Sequence, residues 1–304
     1  MCDTPGHHHH DDANGVHHAH EHVRLAPGAH PFRVVVTGKG GVGKTSLTAL
    51  LARQLARRSY QVLALDADPQ MNLPYALGLS RAEARALVPL GRNLDYVEEK
   101  TGARPGTGYG LMLRLNPDVD DVVDRFGVVG PDGVRLVVMG TVVQPATGCL
   151  CPENALLSSV IESMRQRRGE AILLDTQAGV EHFGRALARG FRHALVVTDA
   201  TFNAVHVALQ AARLSAQLGI PAVHLVVNRV ADPERELERV REIVRDEGGF
   251  RFASEHVLPW DARVMACEPA VGSLMADARS PFAVAVARLG ETLVRTEQVL
   301  SCES

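Results

Sequence analysis

Lys44 and Thr45 close the stretch Gly38-Lys39-Gly40-Gly41-Val42-Gly43-Lys44-Thr45, which has the spacing G-x-x-x-x-G-K-[ST] and is followed by Ser46. An apolar run, RVVVT, precedes it and a helical pattern follows. The chemistry this spacing serves is polyphosphate binding. Glycines let the backbone curl so that its N–H groups face one ligand. The helix start adds partial positive charge. Lys44 would reach the outer phosphates, and Thr45 would ligate Mg²⁺. A plain Gly-rich strand–helix turn is the alternative, and the full pattern in strand–loop–helix context favours the nucleotide.

Two further runs end in carboxylates. VLALDADP carries Asp66 and Asp68, and AILLDT carries Asp175 after four apolar residues. Strand-terminal acids at the C-terminal edge of a parallel sheet stand near bound phosphates. Asp175 would hold Mg²⁺ through water. Alone, either acid would more often be a turn or cap residue; the glycine loop changes that balance. In HLVVNRVAD, which ends a strand at Asn228, a guanine-reading motif would need an aspartate at 231, where Ala231 stands, and this argues against GTP. VLPWD, from Val257 to Asp261, either lines the same pocket or is an ordinary strand end.

Cys149 and Cys151 are separated by one residue. In an extended segment this spacing puts both sulfurs on one side. Pro152 favours an extended Cys151 and suits the first position of a helix, with Glu153 in its first turn. A helix N-terminus favours thiolate, the form that binds metal. Closed thiolate sites for zinc or nickel take four ligands, and one chain offers two. Two buried free cysteines are the bland alternative; a second copy across a two-fold axis would complete the site. Nine of fourteen histidines fall within residues 1–31, including His7, His8, His9, His10, His17, His18, His20 and His22. Imidazole suits nickel, copper and zinc alike. An expression tag is the alternative, although the scattered HHAHEH pattern is unlike one.

The elements that must position these groups alternate along the chain. Strands are expected at RVVVTG, YQVLALDAD, VRLVVMG, EAILLDT, FRHALVVTDA, PAVHLVVNRV and FASEHVLPW. Helices are expected over 45–58, 152–168, 203–218, 233–247 and 281–299, and residues 81–126 are mixed. This order predicts an α/β fold, a doubly wound and mainly parallel sheet flanked by helices over 32–304. Residues 1–31 are expected to be a disordered tail. The 304 residues are 46% hydrophobic but only 4% aromatic, which suits a Val- and Leu-rich parallel sheet. A net charge of -3 gives no electrostatic case for nucleic acid. No apolar run reaches the length of a membrane span, and no secretory h-region precedes the fold. Five unevenly spaced cysteines suit a reducing, cytoplasmic setting.

With its additional Lys39, the loop K-G-G-V-G-K-T resembles that of the MinD/ParA class of P-loop ATPases. The resemblance implies that Lys39 crosses a two-fold interface to the partner's nucleotide, coupling ATP binding to homodimerisation. It implies catalytic roles for Lys39, Lys44 and Asp68, with Asp68 orienting the attacking water and Asp66 supporting it or the Mg²⁺ shell. It gives Asn228 and Arg229 the adenine side. Residues 112–128, 137–142, 148–157 and 175–185 together are similar to the CooC-type ATPases, nickel-insertion accessory proteins for carbon monoxide dehydrogenase. That likeness runs over nearly the whole chain from residue 32. It implies nickel, or zinc at the same cysteines, held by Cys149 and Cys151 of both copies, with the dehydrogenase as acceptor. Glu181, His182 and Arg185 then fall in a nucleotide-sensing switch, or else are surface residues of a helix start. The histidine-rich tail departs from the family pattern and resembles the extensions of hydrogenase and urease nickel chaperones, an accessory metal reservoir. Two rivals are an iron–sulfur cluster carrier, since paired cysteines can hold a cluster, and a positioning ATPase acting on DNA or membrane. The C-terminal LGETLVRTEQVLSCES lacks the basic face that such membrane binding uses.

Overall fold

The computed structural model describes residues 32–104, 113–140, 152–164, 170–177 and 190–302. In chain order the elements are β1 (Phe32–Gly38), α1 (Lys44–Arg57), β2 (Gln61–Ala67), α2 (Leu73–Leu77), α3 (Arg81–Ala86), α4 (Leu94–Thr101), α5 (Val122–Phe126), β3 (Val128–Val129), β4 (Arg135–Val138), α6 (Pro152–Met164), β5 (Glu170–Thr176), β6 (His193–Thr198), α7 (Phe202–Gln217), β7 (Ala222–Val230), α8 (Pro233–Asp246), β8 (Ser254–Pro259), α9 (Ala262–Cys267) and α10 (Pro281–Cys302).

Eight strands form one sheet in the order β3-β4-β2-β5-β1-β6-β7-β8. All neighbours pair in parallel except β3, which runs antiparallel to β4. The expected doubly wound sheet is therefore present. β1, β5 and β6 are buried along their whole length, as central strands covered on both faces are. Alternation then assigns each face. Val34, Val36, Leu173, Leu195 and Val226 meet α1, α2 and α10 on one side. Val35, Leu63, Ile172, Leu174 and Val196 meet α4, α6 and α7 on the other. β1 lies between β5 and β6, so the chain changes direction of winding around it, and ligands of such sheets gather beyond the strand C-termini at that point.

Two features differ from the expected pattern. β3 is only two residues long, too short for a period-two signal. The stretch expected to be mixed contains short helices, of which α3 opens with a capping box between Ser80 and Glu83.

The opposite, N-terminal edge of the sheet carries a buried polar chain. Glu297 of α10 takes Arg192 Nε at 2.8 Å and His193 Nε2 at 2.9 Å. His193 Nδ1 meets His224 Nε2 at 3.0 Å, and His224 Nδ1 meets Ser254 Oγ at 2.7 Å. Ser254 Oγ in turn meets His256 Nε2 at 2.7 Å. One tautomer set satisfies every contact with neutral imidazoles, each N–H or O–H directed toward the Glu297 carboxylate. Burial pushes that carboxyl upward, but the hydrogen bond from His193 and the charge and hydrogen bond of Arg192 outweigh it and hold the group below its ordinary value. Its contribution to stability is thus present above the unfolded carboxylate range and lost as pH falls through the lower folded value.

Glu297→Ala leaves Arg192 and His193 without their acceptor and should destabilise the fold by about 3 kcal/mol or more, read from the urea midpoint. It should also shrink the loss of stability on acidification. An unchanged midpoint would mean that the chain of bonds adds nothing to the docking of α10.

Candidate functional site: a polyphosphate cradle at the C-terminal edge

The loop between β1 and α1 has a backbone that side chains would obstruct. Gly38 sits at φ 141, and a Cβ there would lie 2.1 Å from the carbonyl oxygen of Val197 on β6. Gly43 sits at φ 95, where a Cβ would lie 2.4 Å from Asn228 Nδ2. Gly43 is the N-cap of α1 and supplies no side-chain cap, so the first-turn N–H groups remain available to an anion. Lys39, Gly40 and Gly41 are exposed, while Val42 and Lys44 are buried. Lys44 Nζ folds onto the Lys39 carbonyl at 3.1 Å. Burial lowers the Lys44 pKa, against the opposing charges of Asp175 and Asp68. Ser46 follows in the first turn of α1.

Asn228 reaches this loop from β7. The β7–β8 register shifts between Val227 and Val230, and Arg229 takes φ 61. Such an irregularity re-aims side chains. Asn228 Nδ2 donates to the Val42 carbonyl at 2.7 Å, and its Oδ1 accepts the Arg229 N–H at 2.8 Å. Asn228 thus grips the loop backbone, and Arg229 is exposed beside it.

The acids meet across β2 and β5, where Asp66 and Asp175 are in register. Asp175 is fully buried and accepts the Thr45 hydroxyl at 2.7 Å. Burial pushes its carboxyl up to about 7, more than the Thr45 bond and the Lys44 charge pull it down. Asp66 is also fully buried, and burial and the neighbouring Asp175 charge raise its pKa. Its two oxygens accept the N–H groups of Asp68 at 3.0 Å and Leu73 at 3.1 Å, so it clamps the turn that carries Asp68. Asp68 itself is half-buried and accepts the Gln70 N–H at 2.9 Å. A hydroxyl and a carboxylate, both hard oxygen donors, suit Mg²⁺ at Thr45 and Asp175, with Asp66 behind them.

Two cavities meet over this loop. The larger, of about 440 Å³, is lined by the loop from Gly40, by Lys44 and Thr45, and by Asp68, Gln70, Asn72 and Tyr75. The smaller, of about 40 Å³, lies between Asn228 and the residues Pro259, Trp260, Asp261 and Met265. VLPWD therefore both ends β8 and walls the cleft. Glu268, which no spacing singled out, borders both cavities, as do Gly43, Ser46 and Arg229. Cys149, Cys151, Glu181, His182, Arg185 and the histidines His7, His8, His9, His10, His17, His18, His20 and His22 lie outside the described residues. Among the described residues no cluster of three or more His, Cys, Asp or Glu is placed to hold a metal ion.

Two outcomes follow from this geometry. A raised Asp175 pKa means that the folded state without nucleotide holds this proton more tightly than the unfolded chain does. The resulting stability is full below the ordinary carboxylate value and is lost as pH rises through about 7. Asp175→Asn should flatten that decline in the thermal midpoint, and an identical pH profile would refute the assignment. Trp260 is the only tryptophan and is 53% exposed at the cleft mouth. Its emission should therefore shift when Mg-ATP is added, and Trp260→Phe should abolish the change; unaltered emission at saturating nucleotide would place the base elsewhere.

Residues 33–269 match the family described as the CobQ/CobB/MinD/ParA nucleotide binding domain. An uncharacterized ATP-binding protein of Methanocaldococcus jannaschii is 35% identical over 238 residues, covering 78% of this chain and 88% of that protein. The carbon monoxide dehydrogenase accessory protein CooC of Rhodospirillum rubrum is 37% identical over 202 residues, covering 66% of this chain and 76% of CooC. Among solved structures, a chain of the MinC:MinD cell division protein complex of Aquifex aeolicus superposes with a TM-score of 0.61 at 21% identity, over 86% of this chain and 95% of that one. At that identity the likeness is one of fold. Loop, acids, sheet order and sequence agree: the chain belongs to the CobQ/CobB/MinD/ParA family of nucleotide-binding proteins.

Proposed function

We propose that this protein is a cytoplasmic, ATP-hydrolysing, dimerising metallochaperone that carries nickel between two copies and assists its insertion into carbon monoxide dehydrogenase. The observation that carries the proposal is the likeness to CooC, a named accessory protein of that enzyme. The Cys149-x-Cys151 pair adds weight, since a second copy completes a four-thiolate site for the cargo.

In this proposal the loop N–H groups, Lys44 and Ser46 bind the phosphates, and Lys39 reaches the partner's nucleotide. Mg²⁺, held at Thr45 and Asp175, supplies charge neutralisation of the phosphate oxygens. Asp68 orients the attacking water, and the Asp66 clamp fixes where Asp68 stands. Lys39 and Lys44 offset the charge that develops on the leaving phosphate. ATP closes the dimer and hydrolysis opens it, so that the cysteine site changes with the nucleotide. The histidines of residues 1–31 serve as a reservoir that raises local nickel supply. No helix among the described residues is long and apolar enough to cross a membrane, and neither nucleic acid nor membrane is a partner in this proposal.

In a chain lacking residues 1–31, Cys149→Ser combined with Cys151→Ser should abolish the binding of about one nickel per two chains while ATP binding persists. Metal analysis together with solution mass in the apo, ADP and ATP states measures both. Tight stoichiometric nickel in the double variant would defeat the cysteine assignment. Iron with acid-labile sulfide and a brown absorbance in protein purified without oxygen would instead make the cargo a cluster.

A further inference from the structure

The chain of bonds beneath α10 has an inner and an outer end. The inner end is the buried Glu297 carboxylate, and the outer end is His256 on β8, the last strand of the sheet. His193 and His224 are fully buried, whereas Ser254 and His256 are half-buried at the sheet edge. His193 and His224 are bonded at both ring nitrogens, and Ser254 Oγ meets an imidazole nitrogen on either side. His256 uses Nε2 alone; among the described residues its Nδ1 has no partner.

An imidazole bonded at both nitrogens can take a proton on one and release a proton from the other without moving, and a hydroxyl can do the same. A proton from water that adds to His256 Nδ1 frees the Nε2 proton to Ser254 Oγ. Ser254 passes its own proton to His224 Nδ1, and His224 passes its Nε2 proton to His193 Nδ1. The proton on His193 Nε2 then lies between His193 and the Glu297 carboxylate. Each of His256, Ser254 and His224 gains one proton and loses one, so the single added proton ends at the inner pair. From outside inward the four links are 2.7, 2.7, 3.0 and 2.9 Å long.

The surroundings favour that end point. Burial pushes the His224 imidazole down to about 3 and lowers that of His256, so neither holds the charge. Glu297 is the anion that faces the path, with Arg192 of β6 as its second partner. The Phe32 ring of β1 packs on His193, and Tyr60 behind it stays neutral, its phenol pushed up to about 12 by burial. By alternation Arg33 of β1 and Glu255 of β8 project from the opposite face, where Glu255 pairs with Arg241 of α8. On α10, Arg288, Glu291 and Arg295 are exposed, and Glu291 pairs with Arg58 beyond the end of α1.

We propose that His256, Ser254, His224 and His193 form a proton relay, which takes up a proton at His256 Nδ1 on the sheet edge and delivers it to the His193–Glu297 pair beneath the docked α10. Glu297 then exchanges with solvent without α10 lifting. As the medium turns acid, the tie from Glu297 to Arg192 weakens from within, and with it the brace that α10 places behind α1. The relay needs neither nucleotide nor metal and stands apart from the proposed function.

The test follows the imidazole nitrogens of the full chain by NMR while the pH is lowered, with His224 and His256 assigned from His224→Gln and His256→Gln. Near neutral pH, His193, His224 and His256 should each carry their proton on Nε2. On acidification of the folded protein, the protonated and bare nitrogens of His224 should exchange places, so that Nδ1 carries the proton and the ring stays neutral. A change of tautomer without a change of charge is the mark of a group that passes a proton on. Ser254→Ala, which removes the link between His256 and His224, should abolish the exchange, and Ser254→Thr, which keeps the hydroxyl, should retain it. His224 turning to imidazolium, or keeping its Nε2 proton down to acid unfolding, would overturn the relay from the wild type alone. An exchange undiminished in Ser254→Ala would overturn the path through Ser254.

Discussion

A hydrogen bond from Thr45 to Asp175 at 2.7 Å joins the first turn of α1 to the end of β5 across 130 residues of chain. It can form because β1 and β5 are neighbours with Val36 opposite Asp175. It also exposes the constraint under which the site is built. Asp175 and Asp66 are buried side by side, and ionising both in that environment is unfavourable. The nearby cation, Lys44, is itself penalised by burial. Burial favours the protonated carboxyl at Asp175, and a divalent cation held at Thr45 and Asp175 would supply the charge that favours the ionised form instead.

The rest of the sheet holds that corner still. The loop leaves β1, the Asp66 clamp leaves β2, Asp175 ends β5, and Asn228 comes from the irregular end of β7. All lie at one edge. The other edge is tied by the chain of histidines to Glu297 on α10. α10 in turn backs α1: Gln54 donates to the Ala283 carbonyl at 3.0 Å, and Gly290 packs against Leu51. The helix that presents Lys44 and Thr45 is thereby braced from behind by contacts over 200 residues away in sequence.

What could be read from sequence follows the range of the interaction. The strands of the central sheet announce themselves by apolar runs, and the glycine loop by local spacing. Asp66 and Asp175 could be placed at a strand end without any contact being known. The Asp66 clamp on Asp68 and Leu73 is local, but it depends on an N–H direction that spacing does not encode. Asn228 could be placed near the end of its strand. Its grip on the Val42 carbonyl could not be read, because it depends on a register shift between two strands. β3 was too short to carry a pattern. Glu268 had no motif at all; it comes to the cleft because α9, which it follows, lines the cavity opposite Asn228 and Arg229.

Connectivity gives the proposed function its economy. Cys151 directly precedes Pro152, the first residue of α6, and the chain then passes into β5 and Asp175. In sequence, the proposed cargo ligands thus come just before α6, and the magnesium carboxylate lies in β5, the strand that follows it. In the proposed dimer, each is also completed by the same event: the arrival of a second copy supplies both the other cysteine pair and the other Lys39. Two sites completed by one association are thermodynamically linked, whatever the path between them. If ATP tightens the hold on nickel by favouring the closed pair, nickel must tighten the hold on ATP by the same factor. Hydrolysis then weakens both at once, and release of the metal needs no separate trigger.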